Sequence, residues 1–248
     1  MSNSKIRCAI IIPSYREFLA LPKLLEALSL KLMESDVVII AEDCDGMERL
    51  QIVNVCQNAL AQSKAKLDFA FAERKSGRGA AVRRGMVHAK KNYPNLLSIL
   101  ECDADGSHQP FDILKVKNEI KQWDLLIGSR YLINSKITGW PLARRIFSKM
   151  LNTMIPFILG IGVKDITNGL RRYSISAVNQ ILDVPAHNSG FIYLSEQAFL
   201  IHKNKLNIGE IPIEFVNRSL GESTVTWREI LNSILGIAEL AITKILKG

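Results

Sequence analysis

Apolar runs of strand length alternate with amphipathic stretches through the first half of the chain. The runs cover 8–12, 37–41, 67–72, 96–100 and 124–127, and the stretches between them lie near 21–33, 49–60, 79–91 and 111–121. Runs that are apolar at nearly every position, rather than at every second one, predict strands covered on both faces. Strands of that kind separated by helices predict βαβ units, hence an α/β fold with a mostly parallel central sheet flanked by helices. The chain carries no internal repeat.

After Gly128 the rhythm changes. A long helix is predicted over 141–159, then a loop, two more helical stretches and a strand-like run over 208–216. From 226 to 247, polar residues such as Glu229, Asn232, Ser233 and Glu239 recur at helical spacing opposite Leu231, Ile234, Leu235 and Ile242. A helix so patterned packs on its own domain, lies on a membrane surface or pairs with another subunit. The expected organisation is a main domain over 1–225 and a C-terminal amphipathic helix over 226–248 that makes a peripheral membrane or partner contact.

The composition narrows the classes of partner. With 248 residues, 48% apolar and 23% charged, the chain suits one sizeable folded domain or two small ones, and it carries no low-complexity linker. A net charge of +8 points to an anionic partner, whether nucleic acid, a membrane surface or a phosphorylated small molecule. No zinc finger, aromatic-rich RNA platform or basic helix-turn-helix supports nucleic acid. Cys8, Cys44, Cys56 and Cys102 form no CxxC pair and no metal-ligand spacing with the histidines, which fits a reduced, cytoplasmic compartment. The N-terminus lacks a signal-peptide core, and the longest nearly uncharged stretch, 151–163, is too short to span a bilayer. Any membrane contact is therefore expected to be peripheral.

The chemistry clusters where strands end. Glu101-Cys102-Asp103-Ala104-Asp105-Gly106-Ser107-His108 places carboxylates directly after the run at 96–100. In an open parallel sheet the ligand crevice lies outside the carboxyl ends of the strands. Asp103 and Asp105 there can hold a hard cation such as Mg²⁺ or Mn²⁺, or form a solvated turn. Pro13-Ser14-Tyr15-Arg16-Glu17 ends the first strand: Tyr15 can stack on a base and Glu17 can accept hydrogen bonds from base or ribose, or the segment simply starts a helix. Glu42 and Asp43, in Glu42-Asp43-Cys44-Asp45-Gly46, supply acidic groups suited to ribose hydroxyls. Lys75-Ser76-Gly77-Arg78-Gly79 opens a helix and offers backbone N–H groups and two cations to an anion, or is plain helix entry. Arg144, Arg145, Ser148, Lys149 and Asn152 lie on the helix over 141–159, with Arg144 and Ser148 one turn apart on a face that can hold a phosphate. Arg130, in Gly128-Ser129-Arg130-Tyr131, follows another strand and can join them. His108 follows the Asp pair and can orient its loop; His88, His187 and His202 show no such placement.

Taken in order, these motifs resemble family 2 glycosyltransferases of the GT-A fold, closest to the polyprenyl-phosphate (dolichyl-phosphate) mannosyltransferase group. The resemblance runs nearly end to end, adding Gly139-Trp140, Asp165-Ile166-Thr167-Asn168-Gly169-Leu170-Arg171, Ile208-Gly209-Glu210-Ile211-Pro212-Ile213-Glu214-Phe215, Arg218 and Gly221-Glu222-Ser223. It implies an inverting transfer of a sugar, typically mannose from GDP-mannose, onto a polyprenyl monophosphate at the cytoplasmic face of a membrane. It assigns Pro13, Tyr15, Glu17, Glu42, Asp43, Lys75, Asp103 and Arg218 to the nucleotide sugar, and Asp103 and Asp105 to Mg²⁺ or Mn²⁺. Arg130, Arg144 and Ser148 would take the acceptor phosphate, with Asp105, Arg130 and Arg144 catalytic and Glu196 near the sugar. A membrane subunit or a second copy is an implied partner. The segment Glu42-Asp43-Cys44-Asp45-Gly46 is shorter than the group's usual Asp-Asp-x-Ser-x-Asp-Gly, and 168–171 matches the group's loop only in part. The alternatives are a relative using UDP-glucose or UDP-GlcNAc or another acceptor, and a non-catalytic module for anionic lipid or nucleic acid.

Overall fold

A computed structural model describes residues 5–44, 46–185 and 192–217. The central sheet holds β1 (Cys8–Ser14), β2 (Asp36–Glu42), β3 (Lys66–Phe69), β4 (Ser98–Glu101), β5 (Leu125–Ser129), β7 (Arg171–Ser174) and β8 (Ile208–Pro212), in the order β3-β2-β1-β4-β7-β5-β8. Every neighbouring pair is parallel except those of β7, which runs antiparallel to both β4 and β5. A two-stranded parallel ribbon, β6 (Lys136–Thr138) with β9 (Glu214–Val216), stands beside it. The helices are α1 (Ala20–Ser29), α2 (Gly46–Ala59), α3 (Arg78–Asn92), α4 (Pro110–Asn118), α5 (Leu142–Leu159), α6 (Ile175–Asp183) and α7 (Ile192–Lys203).

Alternate residues of one strand serve two cores, as the unbroken apolar runs require. Ile11, Val37 and Ile39 pack with Val82 and Met86 of α3 and Ala198 of α7. Ile10, Ile12, Val38 and Ile40 pack with Leu21, Leu25 and Leu28 of α1 and Ile52 of α2. The approach of α3 to β1 depends on Gly85, where an added Cβ would lie 2.6 Å from Cγ2 of Ile11.

Two elements depart from the apolar-run reading. The run over 208–216 divides around Ile213: β8 pairs with β5, and β9 leaves to pair with β6. β7 escapes the pattern because it begins Arg171-Arg172. Both arginines are buried, and their guanidinium groups saturate carbonyls, Arg171 those of Asn168, Leu194 and Ile166, and Arg172 those of Lys117, Glu119 and Lys121. Charge at those positions therefore ties loops to the sheet instead of marking a surface. Among the described residues no helix is long and apolar enough to cross a membrane. The expected helix over 226–248, Asp45, His187, Arg218 and the 221–223 segment lie outside the described residues.

Strand order reverses at β1, with β2 and β3 on one side and β4 on the other. The crevice at this switch point collects the ends of β1, β2 and β4.

Candidate active site

β4 ends at Glu101, and the chain turns through Asp103-Ala104-Asp105-Gly106, with Gly106 at φ +76°. Oδ1 of Asp105 accepts the backbone N–H of Ser107 at 3.0 Å, closing the turn. His108, fully buried, fixes the loop from below. Its Nδ1 accepts the backbone N–H of Asp103 at 3.0 Å, so the ring proton sits on Nε2 and is donated to Oδ1 of Asn168 at 3.0 Å. The ring also meets Phe215 edge-on at 5.6 Å.

Asp103 accepts from Nε of Arg78 at 2.8 Å, and Nη2 of the same guanidinium lies 2.8 Å from Oδ1. Burial pushes this carboxyl's pKa up, but the charge of Arg78 and its hydrogen bond outweigh it and hold it below the ordinary value. Burial also dominates at Glu101 and there wins, raising its pKa despite Arg78 and Arg171. Asp103 and Asp105 offer hard oxygen donors in the turn after β4, and no cluster of three or more potential ligands occurs among the described residues. That donor set fits Mg²⁺ or Mn²⁺, ions that keep waters and take substrate phosphates to complete their shell.

At the end of β2, Oε1 of the buried Glu42 accepts the N–H groups of Arg16 at 3.3 Å and of Asp43 and Cys44 at 3.1 Å. Asp43 braces the next loop: its carboxylate accepts from Ser76 N at 2.6 Å, Gly77 N at 3.2 Å and Nη2 of Arg84 at 2.7 Å. Lys75, in that loop, places its ammonium 4.1 Å from the centre of the Tyr15 ring. Pro13 is the penultimate residue of β1, and Glu17 follows the left-handed Arg16, at φ +61°, whose Nε contacts Glu48 at 2.9 Å. Pro13, Tyr15, Glu17, Glu42, Asp43, Lys75, Asp103 and Asp105 thus share one end of the sheet.

Across the crevice a second group assembles around Trp140. Arg130, at the end of β5, makes a buried fork with Asp165, Nε to Oδ2 and Nη2 to Oδ1 each at 2.7 Å, and Nη2 also reaches Oγ1 of Thr167 at 2.8 Å. Burial alone lowers the pKa of Arg130, but Asp165 more than reverses this. Cζ of Arg130 lies 5.3 Å from the Trp140 ring centre and Cζ of Arg144 lies 4.2 Å from it. Oη of Tyr131 donates to Oγ of Ser148 at 2.7 Å, and Asn152 exchanges bonds with Thr167, docking α5 on the 165–167 loop. Glu196 lies half-buried on α7.

Residues 9–182 match glycosyl transferase family 2. The chain belongs to that family. It is 29% identical over 238 residues to polyprenol monophosphomannose synthase of Mycolicibacterium smegmatis, covering 95% of this chain and 87% of the relative. It is 29% identical over 240 residues to undecaprenyl-phosphate mannosyltransferase of Micrococcus luteus, covering 96% and 93%. Among solved structures, glucosyl-3-phosphoglycerate synthase of Mycobacterium tuberculosis with Mn²⁺, uridine diphosphate and phosphoglyceric acid superposes with a TM-score of 0.59. That match has 13% identity and covers 98% of this chain and 78% of the other, a likeness of fold. The same enzyme with Mg²⁺ and uridine diphosphate gives 0.56 at 11% identity, covering 98% and 79%.

Within this family 2 transferase, several organising residues escaped the sequence reading. Arg78 stands out as a cation offered to a ligand anion, yet in the folded chain it holds Asp103. Asp165, Thr167 and Trp140 belong to motifs of the resemblance that carry no assigned task. Their partners are 25 or more positions away, as for Arg78 with Asp103 or Arg130 with Asp165, beyond the reach of local spacing.

Proposed function

We propose that this chain is an inverting mannosyltransferase that moves mannose from GDP-mannose onto a polyprenyl monophosphate at a membrane surface. The observation that carries this reading is the 29% identity, nearly end to end, with two relatives named for mannose transfer to polyprenyl phosphates. The geometry supports it, with an acidic strand end on one side of the crevice and the Arg130, Arg144 and Ser148 group on the other.

On this reading Tyr15, Glu17, Glu42 and Lys75 receive the nucleoside end of the donor, with Asp43 holding the 75–77 loop in place. Asp103 and Asp105 would hold Mg²⁺ or Mn²⁺, which when bound supplies positive charge for the departing nucleoside diphosphate. The acceptor phosphate is already an anion at neutral pH, so no strong general base is required. Arg130, kept rigid by Asp165, and Arg144 draw that anion against the repulsion of the donor's phosphates. A phosphate oxygen attacks the anomeric carbon, the bond to the diphosphate breaks on the opposite face, and the configuration inverts.

The exposed side of α5 supports a membrane-surface location. Leu142, Ile146, Met150 and Met154 recur every four residues and are 71, 60, 46 and 49% exposed, with Phe157 at 86%. Arg145 and Lys149 border this stripe. An amphipathic helix so composed suits an anionic leaflet, and each nearby cation adds about 1 kcal/mol of attraction.

The test is a donor screen with Mg²⁺ or Mn²⁺, a short polyprenyl phosphate and a panel of GDP- and UDP-sugars, with the Asp105→Asn variant alongside. Mannose transfer that is lost in the variant is the expected result. Transfer only from a UDP-sugar would favour the second reading, for which the uridine diphosphate complexes of the fold relatives speak. No turnover with any donor would sink both.

A further inference from the structure

Polar atoms are left unmatched in the interior directly beneath Asp103. Both carboxylate oxygens of Glu101, Nη1 of Arg78, Oη of Tyr193 and Nε2 of Gln197 are buried without a hydrogen-bond partner. Glu101 is 0% exposed and Tyr193 4%. Tyr173 lies close enough to Glu101 to oppose the rise in its pKa, but its hydroxyl proton is directed at Oε1 of Gln197 at 2.7 Å. Arg171 does not relieve the shortfall, because its donors go to three backbone carbonyls. A buried carboxylate in this condition is costly, and a second arrangement that gives it a partner would offset that cost.

Arg78 is the group able to supply one. It stands between two carboxylates, forked onto Asp103 at 2.8 Å, with Nη1 3.7 Å from Oε1 of Glu101. A shift of about an ångström would convert the second contact into a hydrogen bond and release the first. The space it moves in is kept open by Gly169, where a Cβ would lie 2.2 Å from Nη2 of Arg78 and 3.2 Å from Oδ1 of Asp103.

We infer that Arg78 is a positioning residue with two seats, one on Asp103 and one on Glu101 that it takes when a divalent cation and a nucleoside diphosphate occupy the site. This rests on the reading of Asp103 and Asp105 as metal ligands. In the first seat the guanidinium holds Asp103 in place and offsets its charge. In the second, Glu101 draws the guanidinium away from the incoming cation, so Asp103 is freed without an unpaired arginine being left in the interior.

The test is Mn²⁺ binding, followed by the electron paramagnetic resonance of free Mn²⁺ and by calorimetry. Mn²⁺ is titrated alone and with GDP or UDP into wild type, Arg78→Met, Glu101→Gln and the double variant, with thermal unfolding as a check on folding. Two seats predict that Arg78→Met binds Mn²⁺ alone about fivefold tighter than wild type, because the competing cation is gone. Glu101→Gln should bind about fivefold weaker, and this loss should vanish in the Arg78→Met background. Weaker Mn²⁺ binding by a folded Arg78→Met protein would overturn the inference and leave Arg78 a plain prop. So would a Glu101→Gln loss of equal size in both backgrounds. If Arg78→Met does not fold, Arg78→Gln replaces it; the competing cation is again gone and tighter Mn²⁺ binding is again expected, its absence counting against the switch. A wild-type protein that binds no Mn²⁺ with either nucleotide would overturn the metal-site reading itself, and the two-seat inference with it.

Discussion

At the scale of single residues, buried charge is matched by geometry across the crevice. The Arg130 side chain is 7% exposed and that of Asp165 is 0%, and the fork between them fixes the guanidinium plane against Trp140 and Phe215. Removing one charge of such a pair costs about 3–5 kcal/mol, because the other stays buried without compensation. Asp165→Asn is therefore expected to lower the melting temperature measurably and to raise KM for the polyprenyl phosphate acceptor more than for the sugar nucleotide. An equal rise for both substrates would place Arg130 elsewhere in the mechanism. Arg130→Lys keeps the charge but loses the fork and should show the same selectivity. Such pairs are what a single sequence conceals. The positions of Asp103, Asp105, Arg130 and Arg144, at strand ends or on a helix, are legible from the apolar runs beside them, whereas Asp165 and Arg78 gain their contacts from partners brought close by folding.

At the scale of elements, the parallel strands are legible because both faces are covered and the apolar runs are unbroken. β7 is not, since its arginines are buried by bonding to carbonyls rather than by being apolar. The contact of α3 with its strands yields two predictions. Gly85→Ala gains roughly 1 kcal/mol of helix propensity, yet its Cβ would meet Ile11 at 2.6 Å. Overpacking typically costs about 1–3 kcal/mol, so denaturant unfolding should show net destabilisation; a stabilised variant would mean that α3 shifts freely.

The second concerns Asp68 on β3, whose carboxylate accepts from Oη of Tyr93 at 2.6 Å and contacts Nε2 of His88 at 2.9 Å. Burial acts to raise its pKa, but the bonds from Tyr93 and His88 prevail and lower it. A folded-state value below the unfolded one means that the unfolded chain binds protons first on acidification. The contribution is thus complete above the ordinary carboxylate range and is lost as pH falls through the folded value. Asp68→Asn should cost about 1 kcal/mol at neutral pH and flatten the acid side of a stability profile measured by urea titration. An unchanged acid limb would show that this cluster does not set it.

At the scale of the whole molecule, a net charge of +8 and an exposed apolar stripe on α5 belong together. Replacing Leu142, Ile146, Met150 and Met154 by Gln is expected to reduce sedimentation with anionic vesicles by tenfold or more, at roughly 1.4 kcal/mol per decade of binding. Wild-type binding should fall with added salt over the range where the Debye length drops below about 10 Å. Vesicle binding that is indifferent to both changes would move the membrane contact away from α5.

The bond from Tyr131 to Ser148 joins the strand end that carries Arg130 to the helix that carries this stripe. If α5 rests in the headgroup layer, that bond holds the acceptor site at the height of a lipid's own phosphate, so the polyprenyl chain need never leave the bilayer. Catalysis then becomes a reaction in two dimensions. Its rate should follow the mole fraction of polyprenyl phosphate among the lipids, and diluting the acceptor with inert phospholipid at constant bulk concentration should slow the enzyme as though substrate had been withdrawn.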